Sequence, residues 1–231
     1  MEQLLWPGLG TGALAAVLGW ASARFLVPRL PEPPLDPLDE FVKPAYASLV
    51  GPRVVVPALV AAFLAGLVAP AAGAMMWAAV ALAGVGAALV VIDAHTTYLP
   101  ARLHWLTTAI TVVAGVVGIF LLADSPRWLP MLAGALFGAV ASYALFWFIS
   151  WIGQGFGYGD VRLAALIGGF AGTLGIQQWW TALLSAAIIG AVLAIGVALS
   201  RRRHPSPLGT AFAYGPALWA GPFVMLCAEL R

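Results

Sequence analysis

The sequence predicts an all-α fold, a polytopic membrane bundle of about eight transmembrane helices, and three observations lead there. Of its 231 residues, 62% are hydrophobic and only 9% charged, with a mean hydropathy of +0.97. That excludes an ordinary soluble globular domain, whose surface needs charge over most of its area. The charges are gathered into short stretches between long apolar runs. The runs have the length of a membrane crossing, because ~30 Å of hydrocarbon at 1.5 Å per residue takes about 20 residues. A formal net charge of +2, spread between hydrophobic segments, is too mild for a nucleic-acid partner. A single cysteine, Cys227, excludes an intrachain disulfide and a four-ligand thiolate zinc site. No ligand set has convincing metal spacing, so neither metal nor cofactor is expected.

The first window, residues 5–27, opens on Glu2 where a secretory signal carries basic residues, and its apolar stretch is too long for one; it reads as a retained helix. Residues 28–53 form the one substantial loop, proline-rich and short of cysteine. Its acids Glu32, Asp36, Asp39 and Glu40 read as a solvated linker or as a reception site for a basic peptide. Residues 54–92 are too many for one crossing, and a hairpin at Pro70 to Gly73 divides them into windows 54–72 and 74–92. Windows 103–122, 130–152, 161–176, 179–199 and 211–229 follow, the sixth of the eight being short and glycine-rich. The whole chain, 1–231, reads as one integral membrane domain. Gly134 with Gly138 and Gly168 with Gly172 have the spacing of close helix approach. Trp128, Trp179 and Trp180 fall near helix ends where indole rings sit at headgroup level, and Cys227 reads as a buried thiol.

Orientation follows from loop charge. With the chain reversing side at each window, Arg24, Arg29, Lys43, Arg53, Arg102, Arg162, Arg201, Arg202 and Arg203 share one side, and Arg127 and Arg231 the other. Nine against two makes the first side cytoplasmic and puts both termini outside. An odd number of windows would spoil the segregation. Arg201 to Arg203 with His204 read as an anchor on anionic lipid.

Two acids stand at the edges of apolar helices: Asp93 in "IDAHTTYLPARL" and Asp160 in "GQGFGYGDVRLAALIGG". Two crossings separate them, so both emerge on the cytoplasmic face. Taken singly, each reads equally well as an interfacial acid, and Asp160 as a helix cap. A carboxylate at hydrocarbon depth is costly, by roughly 2.5–3.5 kcal/mol on insertion scales, and such groups face a bundle interior or watery cavity. Two of them close together share one proton and can act as base and acid on a single water, which is aspartyl-protease chemistry. Glycines 153, 155, 157 and 159 strip the loop before Asp160 of side chains and permit close backbone approach. A phosphate-binding loop is excluded by the lack of a preceding strand and of a Lys-Ser/Thr ending.

These residues resemble the type IV prepilin and preflagellin peptidases, the GxGD membrane aspartyl proteases. "GFGYGDVRLAALIGGFAG" is similar to the GxGD signature with its basic residue and small-residue helix, giving Gly157, Gly159, Asp160 and Arg162. "IDAHTTYLPARL" resembles the other aspartate motif, with Asp93 followed seven positions later by Pro100. "TAFAYGPALWAGP" is similar to a late motif, with Gly215 and Pro216 before the last helix. Ala101 follows Pro100 where family members often carry Asp or Asn, and Arg162 stands where lysine is commoner, which keeps charge but not hydrogen-bond shape.

The resemblance implies catalytic Asp93 and Asp160, no cofactor, and as partner a prepilin or pseudopilin with a short basic leader, a glycine before the scissile bond, and a hydrophobic helix. Larger members carry paired Cys-x-x-Cys motifs associated with N-methylation; residues 28–53 have none, so cleavage without methyl transfer is expected. Arg102 and Arg162 either act on a nearby aspartate or hold lipid phosphate, the second being favoured. His95 and His104 read as solvated interfacial residues. Two other classes remain: a small proton- or cation-coupled transporter using the same aspartates, and a non-catalytic pilus assembly subunit. A transporter calls for inverted halves with acids at midplane, and these acids sit at one face.

Overall fold

The structure is a computed structural model that describes residues 2–31, 45–122, 126–153, 157–203 and 212–230. The linker acids Glu32 to Glu40, Lys43 and His204 lie outside those residues. Eight α-helices follow in order: α1 (Glu2–Ala21), α2 (Pro52–Leu67), α3 (Met76–Thr96), α4 (Ala101–Val117), α5 (Trp128–Ile152), α6 (Tyr158–Leu174), α7 (Ile176–Arg203) and α8 (Gly215–Ala228). The described residues contain no strand, and each helix falls on one apolar window. The fold is the expected all-α membrane bundle. The hairpin between α2 and α3 is a tight turn over Ala69–Met75, broken at Gly73, whose φ of +54° is open to a residue without Cβ.

Five stretches are long and apolar enough to cross a bilayer: Trp6–Arg29, Ala69–Thr96, Ala101–Leu121, Trp128–Ile152 and Ile176–Arg201. Helices α2, α6 and α8 are shorter, with 16, 17 and 14 residues. At 1.5 Å per residue they reach only about 21–26 Å.

Helix α3 is the hub, with 83% of its apolar window buried, and it packs on α1, α2, α4 and α8. Its sequence, MWAAVALAGVGAALVVIDAHT, explains this: alanine and glycine let neighbouring backbones approach on every side. Helix α5, rich in large side chains, buries only 17% of its window and packs mainly on α6. That contact is the predicted small-residue seam. A Cβ at Gly134 would collide with the Gly172 carbonyl oxygen, and one at Gly138 with that of Gly168.

Two surface expectations are overturned. Trp179 is buried, and its indole Nε1 donates to Ser142 Oγ at 2.8 Å, because α7 turns back on the α5–α6 pair and brings the indole inside. Cys227 is exposed, on the outer face of α8.

Candidate active site

Asp93 occupies the last turn of α3 and Asp160 the first turn of α6. Both are buried, at 3% and 9% exposure. The chain leaves α3 through Thr97, whose left-handed φ of +54° turns its N–H back to the Asp93 carbonyl oxygen at 2.6 Å. Thr96 fastens the same turn, its hydroxyl donating to the Ile92 carbonyl and accepting the Tyr98 N–H. Pro100 then starts α4 in an extended conformation suited to its ring. The Asp-x6-Pro spacing is therefore the length of one tight reversal between helices.

That reversal delivers Leu99, which is buried, against the start of α6. A Cβ on Gly159 would lie 2.8 Å from Leu99 Cβ, so glycine here is a requirement of close approach. Gly157 caps α6 and donates its N–H to Asp160 Oδ2 at 3.2 Å. Asp160 Oδ1 is buried without a hydrogen-bond partner among the described residues, which leaves an acceptor for a small polar molecule.

Asp93 is held by a different helix. The Gly215 N–H, the first of α8, donates to Asp93 Oδ2 at 3.0 Å. Pro216 has no N–H, and the Ala217 and Leu218 amides return to the Tyr214 carbonyl, so this donor is the one α8 presents across the bundle. The carboxylate thereby caps a helix N-terminus and meets the positive end of its dipole. Trp219, one turn further on, fixes the register: its Nε1 donates to the Leu82 carbonyl at 2.8 Å. Gly86 makes room for that indole, since a Cβ there would sit 2.7 Å from Nε1.

Helix α8 thus touches both α3 and α6, the helices that carry the two aspartates. The reversal after Asp93 packs Leu99 on Gly159, directly before Asp160, and Gly215, directly after Tyr214, holds Asp93, so the three lie at the same end of the bundle. Tyr214 donates weakly to the Ala186 carbonyl at 3.4 Å and lies so close over Gly190 that any Cβ there would strike its ring. Sequence reasoning missed Tyr214, Leu99 and Trp219. The signal for the first was its place directly before the Gly-Pro pair, and for Trp219 its position one helical turn after Gly215.

The remaining predicted residues separate. Arg162 is half-buried, its guanidinium 5.3 Å from the centre of the Tyr158 ring. Arg102 is exposed. His95 is partly buried and its Nδ1 donates to the Val91 carbonyl at 2.8 Å. His104, expected at the solvated interface, is instead 2% exposed, packed in the first turn of α4 within range of the Arg162 charge; the tight turn at Pro100 draws it inward. Among the described residues no three metal-ligating side chains cluster.

The chain is thus an all-helical membrane bundle with two buried carboxylates, each accepting an N–H from a helix N-terminus. The model of the type IV leader peptidase family matches residues 80–195, half of the chain and both aspartates, and the chain belongs to that family. Relatives named prepilin leader peptidase/N-methyltransferase agree. The one from Pseudomonas putida is 38% identical over 97 residues, 39% of this chain and 31% of the relative. That of Pseudomonas aeruginosa is 30% identical over 145 residues, 60% of this chain and 45% of the relative. That of Aeromonas salmonicida is 36% identical over 87 residues, 34% of this chain and 29% of the relative. These matches span less than half the length of each relative. No solved structure matches the chain.

Proposed function

We propose that the chain is an aspartyl endopeptidase that removes the short basic leader from a prepilin- or pseudopilin-like membrane protein, with Asp93 and Asp160 as its catalytic pair. The observation that carries the reading is the packing of Leu99, on the loop leaving Asp93, against Gly159, directly before Asp160, which brings together the ends of two helices that each hold a buried carboxylate. Family membership supplies the substrate class. The loop charges support an active end on the cytoplasmic side of the cell membrane, with both termini opposite.

The two carboxylates hold one water and one proton between them. The ionised one takes a proton from the water as its oxygen bonds to the scissile carbonyl carbon; the other, protonated, donates to the carbonyl oxygen. Collapse of the tetrahedral adduct breaks the C–N bond, and the proton taken from water passes to the departing amine. Gly215 and Gly157 serve by holding one oxygen of each carboxylate at a helix N-terminus, which leaves the others for water and substrate. The lack of cysteine in residues 28–53 supports leader cleavage as the activity, with methyl transfer doubtful.

The test is co-expression with a candidate prepilin, following substrate size. Asp93→Asn and Asp160→Asn keep volume and remove the acid, and each lowers processing by at least about 10²-fold, the scale of general acid–base catalysis, with membrane insertion intact. Normal processing in either variant refutes the pair. Proton or cation flux in liposomes that the same substitutions abolish would establish a transporter in its place.

A further inference from the structure

Helix α4 meets α6 near its first turns and then diverges from the α5–α6 pair, leaving a groove of about 480 Å³. The groove runs from Tyr158 and Arg162 at the start of α6 to Thr173 near its end, about 22 Å at 1.5 Å per residue. Its two ends differ in chemistry. The upper end, beside Asp160, carries His104, Tyr143, Tyr158 and Arg162; further down the walls are apolar, as at Val116, Leu136 and Phe170.

The polar end is incomplete. His104 Nδ1 and Arg162 Nε there, and Thr111 Oγ1 about two turns further along α4, are buried without a hydrogen-bond partner among the described residues, and all three residues line the groove. A buried unsatisfied donor is costly, and more so on a charged group. The Arg162 guanidinium rests over the Tyr158 ring and still lacks an acceptor at Nε. What is missing is a compact anion with several acceptor oxygens, located where a helix bundle meets the headgroup layer.

We propose that this groove binds one acyl chain of an anionic phospholipid, whose phosphate is taken by Arg162 and His104. The unmet donors decide the kind of occupant: Arg162 Nε at the polar end calls for an anionic acceptor above the apolar walls, which a phospholipid carries on its own acyl chain and an apolar helix does not. Arginine's planar fork suits phosphate oxygens, and anionic lipid supplies them at the membrane surface. The head of this lipid lies within a turn of Asp160, so the site borders the acid pair without using it.

The test is native mass spectrometry of the full chain, delipidated in detergent, with added dioleoyl phosphatidylglycerol, dioleoyl phosphatidylcholine or glycerophosphoglycerol. One phosphatidylglycerol per chain is retained, phosphatidylcholine about tenfold more weakly, and the chainless headgroup not at all. Arg162→Gln weakens phosphatidylglycerol about tenfold, the loss expected for one charge-assisted hydrogen bond. Ala139→Leu, which narrows the apolar wall and leaves Arg162 in place, weakens it as well. Equal retention of the two phospholipids by the unaltered protein overturns the proposal without any variant. So does retention of the headgroup alone, which marks a free phosphate site, or unchanged binding in Ala139→Leu. Displacement of the lipid by a synthetic apolar prepilin helix would assign the groove to polypeptide and also overturn it.

Discussion

The Gly215 N–H holds Asp93 from another helix, and replacing that glycine by alanine measures how much placement matters. A Cβ at 215 would lie 2.6 Å from Asp93 Oδ2 and 3.2 Å from its Cγ. Ordinary contact requires the oxygen to withdraw by somewhat under 1 Å. Asp93 cannot simply swing aside, because its backbone is fixed in the last turn of the hub helix and its carbonyl takes the Thr97 N–H. A 3.0 Å hydrogen bond lengthened by that amount passes about 3.6 Å and ceases to be one. Loss of a hydrogen bond to a charged group is worth about 1.5–3 kcal/mol, and a 1 Å misplacement of a reacting group can cost about 10²-fold. Gly215→Ala therefore lowers kcat/KM for prepilin processing by about 10- to 100-fold, with most of the fall in kcat. The assay is cleavage of purified prepilin in mixed micelles, with Cys227→Ala, on the exposed side of α8, as the control that touches α8 but not the Asp93 contact. Processing by Gly215→Ala within about threefold of the unaltered chain would break the link drawn here between the α8 N-terminus and catalysis.

Three further outcomes are expected. Gly159→Ala presses on Leu99 and lowers processing about tenfold, and Leu99→Gly in the same chain, which removes the Cβ it meets, restores at least part of it, a coupling that a double-mutant cycle reads directly. Gly86→Ala drives the Trp219 indole from its seat and loosens α8 from α3; processing falls and the melting temperature drops in the same variant, whereas a melting temperature equal to the parent's would refute the seat. Trp179→Phe loses the bond to Ser142 and destabilises the bundle by about 0.6–1.5 kcal/mol, seen in thermal melts, while processing by the folded fraction is unchanged.

Much of the site was legible because its residues break the local rule. A carboxylate at the end of VALAGVGAALVVI has no place in hydrocarbon unless the fold shelters it, and glycine in alternation before Asp160 has no use in a helix-rich chain except to admit a neighbour. Parity of crossings then put both acids at one end. His104, Trp179 and Cys227 were misplaced for a common reason: near a membrane, hydropathy reports whether a segment is apolar, and says little about which of its faces touches protein. Tyr214 was passed over since an aromatic residue beside an apolar helix is unremarkable until Gly190 is seen beneath its ring.

The sequence by itself determined the eight apolar segments and the turn between α2 and α3, and it gave the expectation that Asp93 and Asp160 share a side. Length against bilayer thickness, and charge against hydrocarbon, are properties of the chain read in order. Only tertiary structure decided that α3 is buried on all sides while α5 faces outward, though both are equally fit to cross a membrane. It alone brought the first amide of α8 to Asp93 and opened the groove beside α4. Lipid tails are as apolar as a protein core, so hydrophobicity exerts no preference between them, and the choice falls to small-residue packing and to cross-bundle hydrogen bonds such as those of Trp219 and Gly215.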